Sequence, residues 1–399
     1  MSTPHRGRNL AVAVFCAAVV GAVLVVPAAV GAPADTNAAT NAAAAAAAAN
    51  TVADTAPRTE LATEPVTAAD EPALDVPPGV VDEAVSFTVV NRNTSALACP
   101  SDGETYTISG HLTGPATMLG GGRAVTVYEH GIASGEWYWR VPVEGYHHSY
   151  EMAERGHVSL TIDRLGYDAS DRPDGRHMCI GSQADMLHQI VQALRSGEYE
   201  WAGDTPAPSF TEVTTLGHSN GGQVVQLEAI SYGDVDGMVV SGWADGGLTD
   251  EATARFQAAL GSCMSGGTPS EEPDDPSGYA LYDLGRREFV EGNFADTEPE
   301  VIEYSAGKQN KHPCGDMVSQ LAGVMVDAER LREIDVPVLF LYGELDARVQ
   351  LGGVHKTLLA GAPSTTLVEV PGAGHYFDLA RQHEVALDGL TSWLDGEGF

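Results

Sequence analysis

Hydrophobic residues follow two different patterns between residue 85 and the C-terminus. Short runs rich in apolar and β-branched residues predict β-strands, and segments with apolar positions at helical spacing predict helices between them. The predicted strands are residues 85–90, 105–112, 124–128, 157–162, 213–216, 237–241, 336–341 and 366–370, and the predicted helices are residues 184–194, 223–230 and 386–394. Because alternating strands and helices form a parallel sheet covered on both faces, we expect an α/β fold with a mostly parallel sheet flanked by helices.

The alternation is interrupted between Trp243 and Asp335. This stretch has no clear strand, but residues 252–260 and 317–331 have helical spacing. A loop of this length without secondary structure is uncommon in a compact domain. We therefore expect a mostly helical insertion, at about residues 246–334, over the carboxyl edge of the sheet.

The N-terminus has the pattern of a secretory signal peptide. A basic start ending at Arg8 precedes an apolar run over residues 10–30, and Ala32-Pro33-Ala34 follows it. This order predicts a signal peptide over residues 1–34, cut after Ala34, and a secreted protein. The alternative is an uncleaved anchor that holds the protein at the cell surface, because about 20 apolar residues suffice to span a bilayer.

Residues 35–82 have the composition of a disordered linker. They are rich in Ala, Thr, Pro and acidic residues, and positions 42–49 are all alanine. Because large apolar side chains are scarce, the segment cannot bury enough surface to offset the cost of ordering. The folded domain is therefore expected over residues 83–399.

The negative charge of the chain disfavours negatively charged binding partners. Asp and Glu number 55 against 21 Lys and Arg, which gives a formal net charge of −34. Such an excess repels nucleic acids and anionic membrane surfaces. We expect no nucleic acid partner, and no stable membrane association once the signal peptide is cleaved. The oligomeric state is not indicated.

Five cysteines are present, and Cys16 leaves with the signal peptide. An even number of cysteines in an exported chain suggests disulfides. The remaining four allow three pairings. We favour Cys99–Cys179 in the main domain and Cys263–Cys314 in the insertion.

No motif for a cofactor or a metal is present. The chain has no P-loop, no G-x-G-x-x-G after a strand and no Cys or His pairs at metal-ligand spacing. The acidic residues 271–275 resemble a solvated loop more than a calcium site. We predict no cofactor and no bound metal.

Gly217-His218-Ser219-Asn220-Gly221 fits the G-x-S-x-G pattern of a nucleophile elbow. A strand precedes it and a helix follows, so the serine stands at the apex of a sharp turn where only small neighbours fit. The following helix N-terminus then faces any negative charge that develops near the serine. Ser219 is the candidate nucleophile, and the alternative is a glycine-rich turn with a solvent-facing serine.

A serine nucleophile needs a base and an acid that orients the base. His375 follows the last predicted strand on a glycine-containing loop, where it can reach Ser219. Asp346 ends the turn after the preceding strand, which gives the chain order Ser, Asp, His expected for such a site. Glu344 and Asp245 are the rival acids, because each also follows a strand.

The tetrahedral intermediate of acyl transfer also needs hydrogen-bond donors for its oxyanion. The backbone N–H of Asn220, directly after the nucleophile, is one candidate. The backbone N–H of Ile132, in the loop that begins at His130-Gly131, is the other. The nearby residues 137–139 (Trp-Tyr-Trp) either line an acyl or aryl pocket or pack in the core.

These motifs together resemble the α/β-hydrolase superfamily with a cap domain, and more specifically secreted actinobacterial α/β hydrolases. The resemblance covers residues 85–399 and is carried by His130-Gly131, Asp163-Arg164-Leu165-Gly166, residues 217–221, Gly343-Glu344-Leu345-Asp346 and Gly374-His375. It implies an eight-stranded sheet with the cap inserted after the sixth strand. Ser219 excludes the dehalogenases and epoxide hydrolases of this fold, which use an aspartate nucleophile.

The resemblance and the candidate triad predict a serine hydrolase that cleaves carboxylic esters of a small-molecule or acyl substrate through an acyl-enzyme. An aminopeptidase, an amidase or an acyltransferase could use the same triad, because the fold does not determine the substrate. A non-catalytic binding protein on the same fold is the third alternative.

Overall fold

The computed structural model describes residues 74–119, 123–269 and 275–399, and a nine-stranded sheet runs through them. The predicted signal peptide, residues 35–73 of the predicted linker and most of the acidic segment 271–275 lie outside the described residues. The strands of this sheet are β1 (Val80–Val90), β2 (Thr105–Pro115), β3 (Ala124–Glu129), β4 (Ser159–Ile162), β5 (Glu200–Trp201), β6 (Glu212–His218), β7 (Gly237–Ser241), β10 (Val338–Gly343) and β11 (Thr365–Val370). A separate two-stranded sheet consists of β8 (Tyr279–Ala280) and β9 (His312–Pro313).

The strand order in the large sheet is β11-β10-β7-β6-β3-β4-β2-β1-β5. The six strands from β11 to β4 are parallel, and β2, β1 and β5 continue the sheet antiparallel. The ninth strand, β5, was not predicted: it has two residues that pair with Val85 and Ser86. β1 also begins at Val80, within the segment predicted as linker.

Ten α-helices lie in the described residues, and none of them has both the length and the hydrophobicity needed to cross a bilayer. They are α1 (Ala116–Leu119), α2 (His148–Glu154), α3 (Ile180–Ser196), α4 (Asn220–Tyr232), α5 (Asp250–Met264), α6 (Arg286–Asn293), α7 (Pro299–Gly307), α8 (Cys314–Arg330), α9 (Gly352–His355) and α10 (Glu384–Glu397). The large sheet thus has the flanking helices that the alternating pattern predicted.

The hydrophobic core occupies both faces of the sheet because successive strand residues point to opposite sides. In β7, Met238 and Val240 pack in one cluster with apolar residues of α3 and α4. Val239, between them, packs in a second cluster with residues of α2 and α10. All five residues of β7 are buried, which explains why its sequence is a continuous apolar run rather than an alternating one.

Helices α5 to α8 and the two-stranded β8–β9 sheet lie between β7 and β10 in the chain, where the sequence predicted an insertion. A disulfide between Cys263 and Cys314 joins the end of α5 to the start of α8. A second disulfide, Cys99–Cys179, joins the loop after β1 to the residue that caps α3. These are the two pairings favoured from the sequence.

Helix α8 packs against α4, and two glutamine side chains of α4 donate to a pair of carboxyl groups near this contact. The Asp245 side chain, just after β7, is 4% exposed, and Asp327, in α8, is buried. Burial raises the pKa of Asp245 to about 7, and burial together with the charge of Asp245 raises the pKa of Asp327. The Gln226 side chain donates a hydrogen bond to Asp245 at 3.3 Å. The pair therefore holds a proton between two carboxyl groups that could not both ionise without repulsion.

We predict that Asp327→Asn stabilises the protein more at pH 8 than at pH 5. Because both folded-state pKa values lie above the ordinary 3.8, the favourable contribution of the pair is complete below about pH 4 and is lost as the pH rises through 7. An amide at position 327 keeps a donor for Asp245 and removes the repulsion. The change in the free energy of unfolding, measured by urea denaturation, should be on the order of 1 kcal/mol more favourable at pH 8.

The matched control for this substitution is Asp335→Asn, at an exposed aspartate just before β10. Its effect on the free energy of unfolding should be the same at both pH values. An equal effect of Asp327→Asn at pH 5 and pH 8 would contradict the shared-proton description.

Candidate active site

Ser219 stands at the apex of the turn between β6 and α4. Its backbone has φ of 54° and ψ of −126°, a conformation that costs energy for a residue with a side chain. A Cβ atom on Gly217 would lie 2.1 Å from the carbonyl oxygen of Gly221, and one on Gly221 would lie 2.2 Å from that of Glu129. The two glycines of the motif are therefore required by the close approach of three backbone segments.

His375 and Asp346 lie in contact on the loops after β11 and β10. The Nδ1 atom of His375 donates to Oδ2 of Asp346 at 2.8 Å, and both side chains are buried. The other carboxylate oxygen of Asp346 accepts the backbone N–H groups of Arg348 at 2.7 Å and Val349 at 2.9 Å. The carboxylate is thus fixed from both sides, and it leaves Nε2 of His375 as the free ring nitrogen.

Ser219 and His375 line one cavity. The predicted oxyanion donors Ile132 and Asn220 line the same cavity. The other lining residues are Gly131, Ala133, Trp243, Leu248, Tyr282, Asp283, Asn293, Gln320, Arg348, Val349 and Tyr376. All the site residues predicted from the sequence therefore line this cavity except Asp346. Asp346 contacts His375, which lines it.

The loop after β3 touches the serine, and a buried histidine fixes its path. A Cβ atom on Gly131 would lie 2.9 Å from Cβ of Ser219. Nδ1 of His130 donates to the carbonyl oxygen of Gly131 at 2.8 Å, and its Nε2 accepts the backbone N–H of Arg164 at 3.1 Å. Burial and the Arg164 charge lower the pKa of His130, so the ring is neutral.

The two rival acids have other partners. Glu344 accepts the backbone N–H of Gly372 at 2.8 Å. Asp245 accepts from the Trp243 indole at 3.0 Å and belongs to the buried pair with Asp327. Asp346 is the acid that the structure places against His375.

His218 contacts the loop that carries His375, and the sequence did not predict this contact. Its Nε2 atom donates to the carbonyl oxygen of His375 at 3.0 Å, and its ring stacks on Tyr138 with 4.6 Å between centroids. Burial lowers the pKa of His218 to about 3, so it stays neutral. The elbow motif leaves its second position unspecified, so only the fold reveals this contact.

The aromatic residues 137–139, left open by the sequence, pack in the core. All three are buried in the cluster with α2 and α10, and none is among the residues that line the cavity. Their part in the site is indirect, because Tyr138 supports the His218 ring.

The region between β7 and β10 contacts the histidine loop directly. The backbone N–H of Tyr376 donates to the carbonyl oxygen of Asn293, at the end of α6, at 2.8 Å. A Cβ atom on Gly374 would lie 2.8 Å from the amide nitrogen of Ala295. Six residues of this region line the cavity: Trp243, Leu248, Tyr282, Asp283, Asn293 and Gln320. No sequence motif marks them.

One group of three potential metal ligands lies in the described part of the chain: His188, Glu228 and Asp234. None of them lines the cavity. Nδ1 of His188 donates to Asp234 at 2.8 Å, and the Gln192 side chain donates to the same carboxylate. Both hydrogen bonds go to Oδ2 of Asp234.

Several solved structures are similar to this chain. An esterase from Thermogutta terrifontis, in a malate-bound form, is 18% identical with a TM-score of 0.54, and the match covers 78% of this chain and 100% of the esterase. A hydrolase from Pseudomonas aeruginosa is 16% identical with a TM-score of 0.50, covering 76% and 99%. A bromoperoxidase from Bacillus anthracis is 19% identical with a TM-score of 0.50, covering 76% and 100%. At these identities the likeness shows the fold alone.

Sequence comparison points to the same group of proteins. No curated protein matches the chain. A model of the alpha/beta hydrolase family matches residues 125–388, which is more than half of the chain and includes the elbow, the acid and the histidine. The chain belongs to the alpha/beta hydrolase family.

Proposed function

We propose that this protein hydrolyses carboxylic esters through an acyl-enzyme on Ser219. The observation that carries the proposal is the His375–Asp346 contact at 2.8 Å beside a cavity that Ser219 also lines. Oγ of Ser219 attacks the carbonyl carbon while Nε2 of His375 takes the hydroxyl proton, and the fixed Asp346 carboxylate stabilises the imidazolium. His375 then gives that proton to the departing alcohol. A water molecule, activated by the same nitrogen, then hydrolyses the acyl-enzyme and releases the carboxylic acid product.

Two backbone N–H groups are proposed to stabilise the oxyanion. Asn220 is the first residue of α4, so its N–H has no acceptor within the helix, and the positive end of the helix dipole lies beside it. Ile132 follows Gly131, whose backbone packs against Ser219. Donors fixed in this way cost no reorganisation as the charge develops.

Ester hydrolysis is favoured over aminopeptidase activity by the charges in the cavity. An aminopeptidase needs a carboxylate that is available to the substrate's ammonium group. Asp283 is the acidic residue among those that line the cavity, and its carboxylate is bound to Arg348 at 2.6 Å. The guanidinium charge offsets the carboxylate charge, so the pair gives an ammonium group no net attraction.

We also propose that the protein is exported. The support is the N-terminal signal pattern together with the two disulfides, which persist in oxidising compartments. N-terminal sequencing of the protein recovered from the culture medium should give a start at Asp35. A start at Met1, with the protein retained on cells, would instead support the uncleaved anchor.

The first test is labelling of the full chain, secreted by an expression host, with a fluorophosphonate probe. We expect the wild type to be labelled and to cleave p-nitrophenyl butyrate but not a peptidyl anilide. Ser219→Ala should take no label and lose about 10⁴-fold or more in kcat. Ser265→Ala, at an exposed serine outside the cavity, is the matched control and should behave as wild type.

The outcomes of this experiment separate the alternatives. Cleavage of the anilide would favour a peptidase or amidase with the same residues. A folded wild type that takes no label would contradict the proposal and favour a binding protein.

A second prediction concerns His218, which we propose to be a positioning residue for His375. His218→Phe keeps an aromatic ring against Tyr138 but removes the donor to the carbonyl oxygen of His375. We expect kcat for p-nitrophenyl butyrate to fall roughly 10- to 100-fold with KM nearly unchanged, because a misplaced base costs transition-state stabilisation.

His218→Gln places an amide donor near the position of Nε2 and should restore much of kcat. Melting temperatures of both variants report whether they fold. Equal kcat values for the Phe and Gln variants would mean that the histidine serves packing only.

A further inference from the structure

A buried ion pair forms part of the wall of the cavity that Ser219 and His375 line. Arg348 lies two residues after Asp346, and Asp283 lies between β8 and α6. Nη2 of Arg348 donates to Oδ1 of Asp283 at 2.6 Å, and the two side chains are 5% and 1% exposed. Both residues line the cavity with Ser219 and His375.

The surrounding structure is shaped to hold the guanidinium. A Cβ atom on Gly292 would lie 1.8 Å from Nη2 of Arg348, so a side chain at position 292 would displace the guanidinium. The ring of Tyr282 lies 5.4 Å from the guanidinium carbon, within the range of a cation–π contact. Nη2 also donates to the carbonyl oxygen of Glu288 at 3.2 Å. The side chain is thus held in one place.

The ion pair leaves one atom of each partner without a hydrogen bond. Among the described residues, Nη1 of Arg348 and Oδ2 of Asp283 are buried and have no partner. An arginine and a carboxylate that served only to join two segments would gain most from two parallel hydrogen bonds. A buried polar atom without a partner carries a desolvation cost, and such atoms in native proteins call for an explanation.

We propose that the Arg348–Asp283 pair recognises a neutral amide group on the substrate, so that the preferred esters carry a carboxamide on one arm. The amide carbonyl accepts from Nη1 of Arg348, and the amide N–H donates to Oδ2 of Asp283. An amide offers one acceptor and one donor, which complement an unpaired donor on Arg348 and an unpaired acceptor on Asp283. This inference rests on the proposed esterase function.

The charges argue against an ionic ligand at this position. The pair is neutral as a whole, so it gives neither a carboxylate nor an ammonium group a net attraction. The formal charge of −34 on the chain further disfavours anionic substrates. An apolar arm would leave both buried atoms unpaired, and a site built for hydrogen bonding rejects such analogues.

The test uses two series of esters, since either arm of the substrate can lie at the pair. In the first series, p-nitrophenyl 4-carbamoylbutanoate is compared with the isosteric 5-methylhexanoate and with the carboxylate analogue. In the second series, the acetate of 4-hydroxybutanamide is compared with the acetate of 4-methylpentan-1-ol. Both series include spacers of two to five carbons. We expect kcat/KM to favour the amide over its isostere roughly 10- to 100-fold in one series.

The variant Arg348→Met/Asp283→Leu removes both charges together, which avoids leaving one of them buried alone. Its preference for the amide should fall at least tenfold. The control Arg286→Met/Glu303→Leu removes an exposed ion pair of the same region and should keep the preference.

The possible results separate this inference from the function on which it rests. No amide preference in a wild type that hydrolyses p-nitrophenyl butyrate would overturn the inference alone. A preference that survives in the Arg348→Met/Asp283→Leu variant, or a preference for the carboxylate, would also overturn it. Failure to hydrolyse any ester would remove the proposed function and the inference with it.

Discussion

The close approach of backbone segments at Ser219 is the constraint on which the rest of the site depends. Gly217 and Gly221 touch each other across the turn, and Gly221 also touches the carbonyl oxygen of Glu129 at the end of β3. The turn therefore forms only if β3 and β6 lie side by side in register, as the pairing of Tyr128 with Leu216 shows. One sharp turn thus links the conformation of a single serine to the central pairing of the sheet.

The parallel arrangement of the central strands explains why distant residues meet at this turn. Strands β3, β6, β10 and β11 all end at the same edge. The loops that follow them carry Gly131, Ser219, Asp346 and His375 respectively. Because strand pairing fixes where each loop starts, short loops suffice to place the side chains. The contact of Asn293 with the Tyr376 N–H then joins the inserted region to the same edge.

The sequence predicts those parts of the fold and site that depend on local pattern. The apolar strands, the elbow and the order of Ser219, Asp346 and His375 are predicted from the sequence alone. The start of β1 was missed because Asp82 makes it resemble a polar linker, whereas the folded protein pairs that carboxylate with Arg140 at 2.7 Å. Burial by itself raises the pKa of Asp82, but the hydrogen bonds from Arg140, Thr113 and Tyr150 and the charge of Arg140 outweigh burial and keep the pKa well below its usual value. Like the contact of Asp82 with Arg140, the contacts of His218 and Asp283 cannot be predicted from a local pattern. Their partners lie 157 and 65 residues away in the chain.

A network beneath the site holds the residue after the nucleophile from two sides. Nη2 of the fully buried Arg164 donates to Oδ1 of Asn220 at 3.2 Å, and Nδ2 of Asn220 donates to Gln320 of α8 at 3.3 Å. Burying a guanidinium is costly, and here it is offset in part by Tyr167 and by the nearby Glu129 and Asp316 carboxyl groups. If the Asn220 N–H stabilises the oxyanion, this cost has a purpose, because a donor fixed before the reaction need not reorganise during it. Since Gln320 belongs to α8, the region between β7 and β10 helps to shape the turn at Ser219 as well as to line the cavity.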